Sequence, residues 1–417
     1  MEMILSGCRT GQVQAPSSKS QLHRLLILAA LSDGPVTVFC TEPCDDVLAT
    51  AECLGALGAK ITRLDDRFEI RPIGNAPAQN AQLNCRCSGS TLRFLLPVVG
   101  ALGASAELLM EPQLAKRPTD ALILVLRDHG MHIERRGCVL SVRGQLQPGR
   151  FEVRADISSQ YVTGLLLALP FLDGDSRLAL LGKAVSAPYV EMTKKLLETA
   201  GLSLQTADAD DLIPGRQRCH LPEVLHAEGD WSGAAAFLCM GALSPNGIFV
   251  NGLQAASGQA DEKILTVLER FGAEVTAREN GIFVRRKVLH GISFDCEQSP
   301  DLVPVIAALA SLAEGESILT GCGRLRFKES DRLQTVTALL SGLGAEIYEE
   351  NDALRIRGRS TLRGGAADAM EDHRIAMAAA VAACGCREPV KLTGWECVRK
   401  SFPDFRTQYE RLQEEPI

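Results

Sequence analysis

The sequence predicts an α/β protein of two domains assembled from a repeated unit, on three observations. Five segments resemble one another, and their key glycines, Gly58, Gly130, Gly201, Gly272 and Gly344, follow at intervals of 72, 71, 71 and 72 residues, a regularity that marks repeats rather than chance. Each segment reads as an amphipathic helix ending at a glycine suited to a left-handed cap, then an alternating strand, a polar turn and a second strand. At 417 residues, 46% hydrophobic and 23% charged, the chain has the balance of a folded protein and is too long for one ordinary core.

In chain order the segments are "LGALGAKITRLDDRFEIRP", "LRDHGMHIERRGCVLSVRG", "LETAGLSLQTADADDLIPG", "LERFGAEVTARENGIFVRR" and "LSGLGAEIYEENDALRIRG". Each helix and hairpin leaves enough residues for a further helix and strand before the next begins. Such a unit cannot bury its own apolar faces, so several must pack together. Counting 71 onward from Gly344 reaches 415, so a sixth unit must join C-terminal residues to the N-terminal strand "MEMILSGCRTGQVQAP". This closure predicts a discontinuous domain of residues 1–17 and 230–417, carrying both termini, and a second domain of residues 18–229. The chain crosses between them near Pro16–Lys19 and Glu228–Asp230.

A net charge of -7 and a pI near 5.6 argue against binding nucleic acid or an anionic membrane through a basic surface. The start "MEMILSGCRT" has no charged segment leading into an apolar one, so the fourteen cysteines are expected as reduced, small buried hydrophobes in the cytoplasm. They show no CxxC pair and the histidines are scattered, so no metal spacing is expected. The longest apolar run, Gly164 to Leu172, is broken by Pro170 and is too short to span a bilayer.

Basic residues recur near the starts of apolar helices in both predicted domains. "PSSKSQLHR" sets Lys19, Ser20 and Arg24 at a helix start, where free N–H groups and the dipole favour an anion. The glycines of a Walker loop are missing, and a serine cap beside a solvated lysine would read the same. "CSGSTLRFLLP" repeats the logic, with Gly89 permitting close backbone approach and Arg93 a turn later; a Ser-Gly turn into a buried helix also accounts for it. "KRPTDAL" puts Arg117 before Pro118, a good first helical residue, unless it is simply a surface arginine. "ISSQYVTGLLLALP" offers Ser158, Ser159 and Gln160 for capping or for ligand hydroxyls. "SPDLVPVIAALA" places Asp301 at a helix entrance, where an N-cap is the plain alternative. "FKESDRL" packs Lys328, Glu329, Asp331 and Arg332 together, as many solvated faces do. "EDHRIAMAAAVAA" sets Asp372, His373 and Arg374 against a strongly apolar helix, and "RKSFPDF" supplies Arg399 and Lys400. Each motif has a bland explanation alone; their joint occurrence does not. A cleft lined by lysine and arginine would bind a doubly anionic substrate pair.

The ordered set PSSKSxxxR, SGSTxR, KRP, SSQ, SAPY, EGDWS, SPD, FKESDR, EDHR and RKSFPDF resembles the 3-phosphoshikimate 1-carboxyvinyltransferase (5-enolpyruvylshikimate-3-phosphate synthase) family along essentially the whole chain. The resemblance implies the enolpyruvyl transferase fold: two domains, each of three βαβαββ repeats in an inside-out α/β barrel, with the active site in the interdomain cleft. It implies transfer of the enolpyruvyl group of phosphoenolpyruvate to the 5-hydroxyl of shikimate 3-phosphate, releasing phosphate by addition and elimination. Lys19, Ser20, Arg24, Ser158, Ser159, Gln160, Ser186, Tyr189, Asp301 and Lys328 would then meet shikimate 3-phosphate. Lys19, Gly89, Arg117, Gln160, Arg332, Arg374 and Lys400 would meet phosphoenolpyruvate. Asp301 would be the base and Glu329 the acid, with Lys19 also in the catalytic set.

The same resemblance implies no cofactor, no metal, no nucleic-acid or membrane partner, and a cytoplasmic monomer acting on small molecules. Cys87, Phe94 and Arg324 depart from residues common in the family. Two rival readings remain. A UDP-N-acetylglucosamine enolpyruvyl transferase carries asparagine after the first lysine and a cysteine before the RP motif, where this chain has Ser20 and "MEPQLAKRP". A noncatalytic anion-binding paralogue has no need of both Asp301 and Glu329.

Overall fold

The structure, a computed structural model, describes residues 2–74, 76–207 and 210–415. The chain divides into two compact units, Met1–Ser17 with Glu228–Ile417, and Ser18–Ala227.

The unit of residues 18–227 contains three four-stranded sheets of one topology. In each, a first strand runs parallel to a second, which pairs antiparallel with the later strand of a hairpin, and the earlier hairpin strand lies at the edge. Ala81–Asn84, Ala106–Leu109, Val139–Arg143 and His132–Arg136 form one. Arg150–Arg154, Ser176–Leu181, Asp210–Ile213 and Gln205–Ala207 form another; the turn of its hairpin, residues 208–209, lies outside the described residues. The remaining sheet, Val36–Phe39 with Arg67–Arg71 and Lys60–Arg63, takes its first strand from the far end of the unit, Val224–His226. The three repeats therefore close on themselves.

In the other unit, Ser293–Asp295, Glu316–Thr320, Ala353–Arg357 and Glu346–Glu350 follow the same order. The N-terminal segment enters the two remaining sheets. Arg9–Gln14 lies parallel to Ile248–Asn251, beside the hairpin of Glu274–Arg278 and Gly281–Arg285. Glu2–Leu5 pairs antiparallel with Val390–Thr393, which lies parallel to Gly365–Asp368. The sixth sheet is thus made from both ends of the chain, and it has three strands rather than four. The strand Gln413–Glu414 pairs with Arg9 and Thr10 instead.

All five repeat glycines follow their helices with positive φ. At Gly272, φ is 95°, and a Cβ would lie 2.6 Å from the Val288 carbonyl oxygen, so conformation and space both call for glycine. One helix type in the repeats is one-sided: Ile264–Phe271 buries Ile264, Val267, Leu268 and Phe271. The other type is buried on nearly every face: Lys19–Ala30, Gly89–Ala101 and Ser159–Ala168 in one unit, and Trp231–Leu243, Val303–Ala310 and His373–Ala383 in the other. Their sequences are accordingly apolar without a stripe. Lys19, Ser20, Gly89, Ser158, Ser159, Gln160 and Arg374 stand at the N-terminal ends of these inner helices. All fourteen cysteines are free thiols and none is exposed. Among the described residues, no helix is long and apolar enough to cross a membrane.

Candidate active site

In the unit of residues 18–227 the three inner helices are capped by Ser18, Ser88 and Ser158. Their hydroxyls accept from the backbone N–H of Gln21 at 3.4 Å, Thr91 at 3.3 Å and Gln160 at 3.3 Å. Lys19, Gly89 and Ser159 are the first residues of these helices. A neutral cap satisfies a donor but leaves the positive end of the helix dipole uncompensated.

The Lys19 ammonium meets the Asp46 carboxylate at 3.2 Å. Arg24 is buried and donates to the Thr193 hydroxyl (2.7 Å), the Thr163 hydroxyl (3.2 Å), and the carbonyls of Tyr189 (3.0 Å) and Ser20. Burial lowers its pKa to about 9. Tyr189 in turn donates its N–H to the carbonyl of Ser186 at 3.1 Å, a buried residue in the left-handed region at φ 52°.

Arg93 donates to the Gln160 carbonyl oxygen at 2.7 Å, and the Gln160 amide donates to Ser90 at 3.0 Å. A Cβ at Gly89 would lie 2.5 Å from one Arg93 nitrogen and 3.1 Å from one of Arg117. Both guanidiniums therefore press against a helix start that has no side chain. Pro118 is not the first helical residue: Thr119 is the N-cap and the helix begins at Asp120. The Pro118 carbonyl is committed to Arg93 at 2.8 Å and to the Tyr161 hydroxyl at 2.8 Å, which holds the proline outside the helix.

In the other unit, Asp301 lies within the tight turn Pro300–Leu302, ahead of the helix Val303–Ala310, and does not cap it. Its Oδ1 accepts from Lys328 at 3.0 Å and Arg332 at 2.7 Å, while Oδ2 lies 3.9 Å from Arg374. Arg332, 1% exposed, also bonds Glu329 at 2.7 Å and Asp372 at 2.8 and 3.2 Å. Asp372 caps the helix His373–Ala383, accepting from the Arg374 N–H at 2.9 Å and from the Ser330 hydroxyl at 2.9 Å. Arg374 donates to the Ser232 carbonyl, and its buried Nε has no acceptor among the described residues. Lys400 is half-buried at the end of the turn Trp395–Lys400.

Burial disfavours the Asp301 carboxylate, yet Lys328, Arg332 and Arg374 outweigh it and hold its pKa well below the usual range. Burial lowers the Lys328 pKa, with Asp301 pulling the other way. Burial likewise opposes the Arg332 charge, but Asp372, Glu329 and Asp301 overcome it and raise its pKa.

The candidate residues thus fall into two clusters. Lys19, Ser20, Arg24, Gly89, Arg117, Ser158, Ser159, Gln160, Ser186 and Tyr189 belong to the unit of residues 18–227. Asp301, Lys328, Glu329, Arg332, Arg374 and Lys400 belong to the other. The sequence marks Arg93 and Asp372 at helix starts without giving either a role, and it does not mark Asp46 and Asp261, whose acids in "CDDVL" and "GQADEK" look like ordinary first-turn carboxylates.

A model of the EPSP synthase (3-phosphoshikimate 1-carboxyvinyltransferase) family matches residues 7–409. A Clostridium kluyveri protein named 3-phosphoshikimate 1-carboxyvinyltransferase is 38% identical over 404 residues, covering 96% of this chain and 95% of its own. A Methanocorpusculum labreanum protein of the same name is 34% identical over 418 residues, covering 99% and 98%. Among solved structures, EPSP synthase from Acinetobacter baumannii superposes with a TM-score of 0.82 at 24% identity, covering 98% of this chain and 97% of that one. The enolpyruvyl transferase NikO from Streptomyces tendae gives 0.77 at 18%, covering 100% and 99%. The structures establish the fold, which enolpyruvyl transferases of different names share. The family rests on the model match and on the relatives spanning almost the whole chain: this chain belongs to the EPSP synthase family.

Proposed function

We propose that this chain transfers the enolpyruvyl group of phosphoenolpyruvate to the 5-hydroxyl of shikimate 3-phosphate, and that the two residue clusters serve this one substrate pair. The observation that carries the reading is the pair of carboxylates on one buried guanidinium, Asp301 and Glu329, each 2.7 Å from Arg332. Two carboxyl groups with separate roles are what addition and elimination require, and a passive anion binder has no use for them.

In this reading Lys19, Ser20, Arg24, Ser158, Ser159, Gln160, Ser186, Tyr189 and Lys328 hold shikimate 3-phosphate. Lys19, Gly89, Arg117, Gln160, Arg332, Arg374 and Lys400 hold phosphoenolpyruvate, for which the planar fork of arginine suits both carboxylate and phosphate. Asp301 Oδ2, the less engaged oxygen, takes the 5-hydroxyl proton as the 5-oxygen of shikimate 3-phosphate bonds to C2 of phosphoenolpyruvate. Glu329 protonates the methylene carbon, giving a methyl group on a tetrahedral adduct. Glu329, left as a carboxylate, then takes a proton back from that methyl group as the C2–O bond to phosphate breaks, which releases phosphate and forms the enol ether. Lysine and arginine stabilise the anions that develop.

Because Asp301 and Glu329 begin bonded to cations, the substrate anions have to take over part of that charge before either carboxyl can work. The reading extends to a cytoplasmic monomer, supported by free thiols at all fourteen cysteines, which suit a reducing compartment. The test is phosphate release from phosphoenolpyruvate, assayed separately with shikimate 3-phosphate and with UDP-N-acetylglucosamine. Release with shikimate 3-phosphate alone is expected; release with the nucleotide sugar alone overturns the proposal.

A further inference from the structure

We propose that Asp261 is a positioning residue for the reaction: through Ser232 it orients Arg374, from the same short turn that anchors the segment carrying Asp301. The inference rests on the roles given to Asp301 and Arg374 above. Asp261 lies in the turn Ala260–Lys263 and is 1% exposed. Its carboxylate accepts the Ser232 hydroxyl, and the Ser232 carbonyl accepts from Arg374. One residue earlier, the Ala260 carbonyl accepts the Ser299 hydroxyl at 2.8 Å, and Ser299 opens the turn that presents Asp301. Two consecutive residues therefore bear on both members of the 3.9 Å contact between Asp301 and Arg374.

Burying a carboxylate is costly, so one kept here calls for a task beyond helix-end electrostatics. Its charge acts on what surrounds it: Arg374, Asp301 and Asp230 are the charged groups that perturb it. Burial first, then Asp301, push its pKa up to about 6, against the pull of Ser232 and Arg374. The geometric link to Arg374 runs through Ser232, whose hydroxyl meets Asp261 and whose carbonyl meets the guanidinium.

Asp261→Ala removes the acceptor and the charge, Asp261→Asn keeps an acceptor, and Ser232→Ala removes the hydroxyl but keeps the carbonyl. Losing a hydrogen bond to a charged group should raise KM for phosphoenolpyruvate roughly tenfold in Asp261→Ala. KM for shikimate 3-phosphate should stay within about twofold and Asp261→Asn should recover part of the loss. Ser232→Ala should resemble Asp261→Ala, and the double variant should be no worse than either single one, as expected for residues acting in series. Equal rises in both KM values, additive losses, or an unchanged KM for phosphoenolpyruvate in folded Asp261→Ala would overturn the inference. Wild-type turnover with shikimate 3-phosphate is the control that tests the functional reading itself, so failure of that reading is seen there and not in the variants.

Discussion

The buried guanidiniums Arg24 and Arg93 of one unit and Arg332 of the other are partnered in opposite ways. In residues 18–227, Arg24 and Arg93 are held by hydroxyls, carbonyls and an amide, and the inner helices carry serine caps. In the other unit, Arg332 is shared among Asp301, Glu329 and Asp372, and the helices starting at Trp231 and His373 are capped by Asp230 and Asp372. Neutral partners orient a guanidinium without cancelling its charge, which suits standing recognition of an anion. Carboxylate partners nearly cancel it, and an arriving anion then changes the balance around groups that exchange protons. The same repeat thus yields one cluster suited to holding and one suited to proton transfer.

The largest effects should come from the carboxylates. Asp301→Asn and Glu329→Gln should each lower kcat by on the order of 10² to 10⁴, and they should fail differently. In deuterated water, Glu329→Gln should bind both substrates without placing deuterium in the product methylene, while Asp301→Asn should fail mainly at deprotonating the 5-hydroxyl. NMR of the product distinguishes them. Wild-type labelling and turnover by Glu329→Gln would assign the proton to another donor, with Lys19 and Lys400 the next to test.

Next in size is a stability contrast. Arg332→Met takes their shared cation from Asp301, Glu329 and the fully buried Asp372 and should cost about 3–5 kcal/mol. Arg93→Met takes a donor from the neutral oxygens of Gln160 and Pro118 and should cost about 1–3 kcal/mol. Urea unfolding of the two variants measures the difference, and equal losses would dissolve the distinction drawn between the units.

Much of this arrangement was legible in the sequence because it depends on local rules. The repeat glycines announced themselves by spacing, since each must adopt positive φ at a helix end. The three-stranded sixth sheet was not legible: where Gln413–Glu414 pairs depends on the N-terminal strand far away in sequence. Within the site, the basic residues stood out because helix starts have no internal use for them. Asp46 and Asp261 did not, because an acid at a helix start is favourable anyway and only the folded chain shows which cation or hydroxyl it meets. Pro118 was misplaced for a similar reason: the acceptors that hold it outside the helix serve Arg93 and Tyr161, distant in sequence.

A smaller effect follows from the contrast between Asp261 and Asp301. The Asp261 pKa is raised to about 6, so the folded state holds that proton more tightly than the unfolded chain. Its stabilising effect is complete below the unfolded value near pH 4 and is lost as pH rises through about 6. Asp261→Asn should therefore match wild type near pH 4 and become more stable by up to roughly 3 kcal/mol by pH 7. Asp301, with a depressed pKa, contributes the reverse: stability present above the unfolded value and lost as pH falls through the folded one. Thermal unfolding across pH 4 to 7 reads the Asp261 slope and its extension below pH 4 reads that of Asp301, and a parallel offset for Asp261→Asn would show that its charge is not the cause.

The smallest expected effect tests whether the neutral-partner cluster tolerates change as that description implies. Cys87 sits just before the Ser88 cap, and its half-buried thiol donates to the Gln113 carbonyl oxygen at 2.8 Å. An asparagine there is of similar reach and offers an N–H to the same acceptor, and no charge is added or removed beside Gly89, Arg93 or Arg117. Cys87→Asn should then change stability by no more than about 0.5 kcal/mol, with KM for phosphoenolpyruvate unchanged or improved, because the cap and the guanidiniums against Gly89 keep their partners. Steady-state kinetics on the folded variant decides it. A collapse of turnover would mean that the thiol shapes the helix start directly, and that this cluster depends on its partners as closely as the carboxylate cluster does.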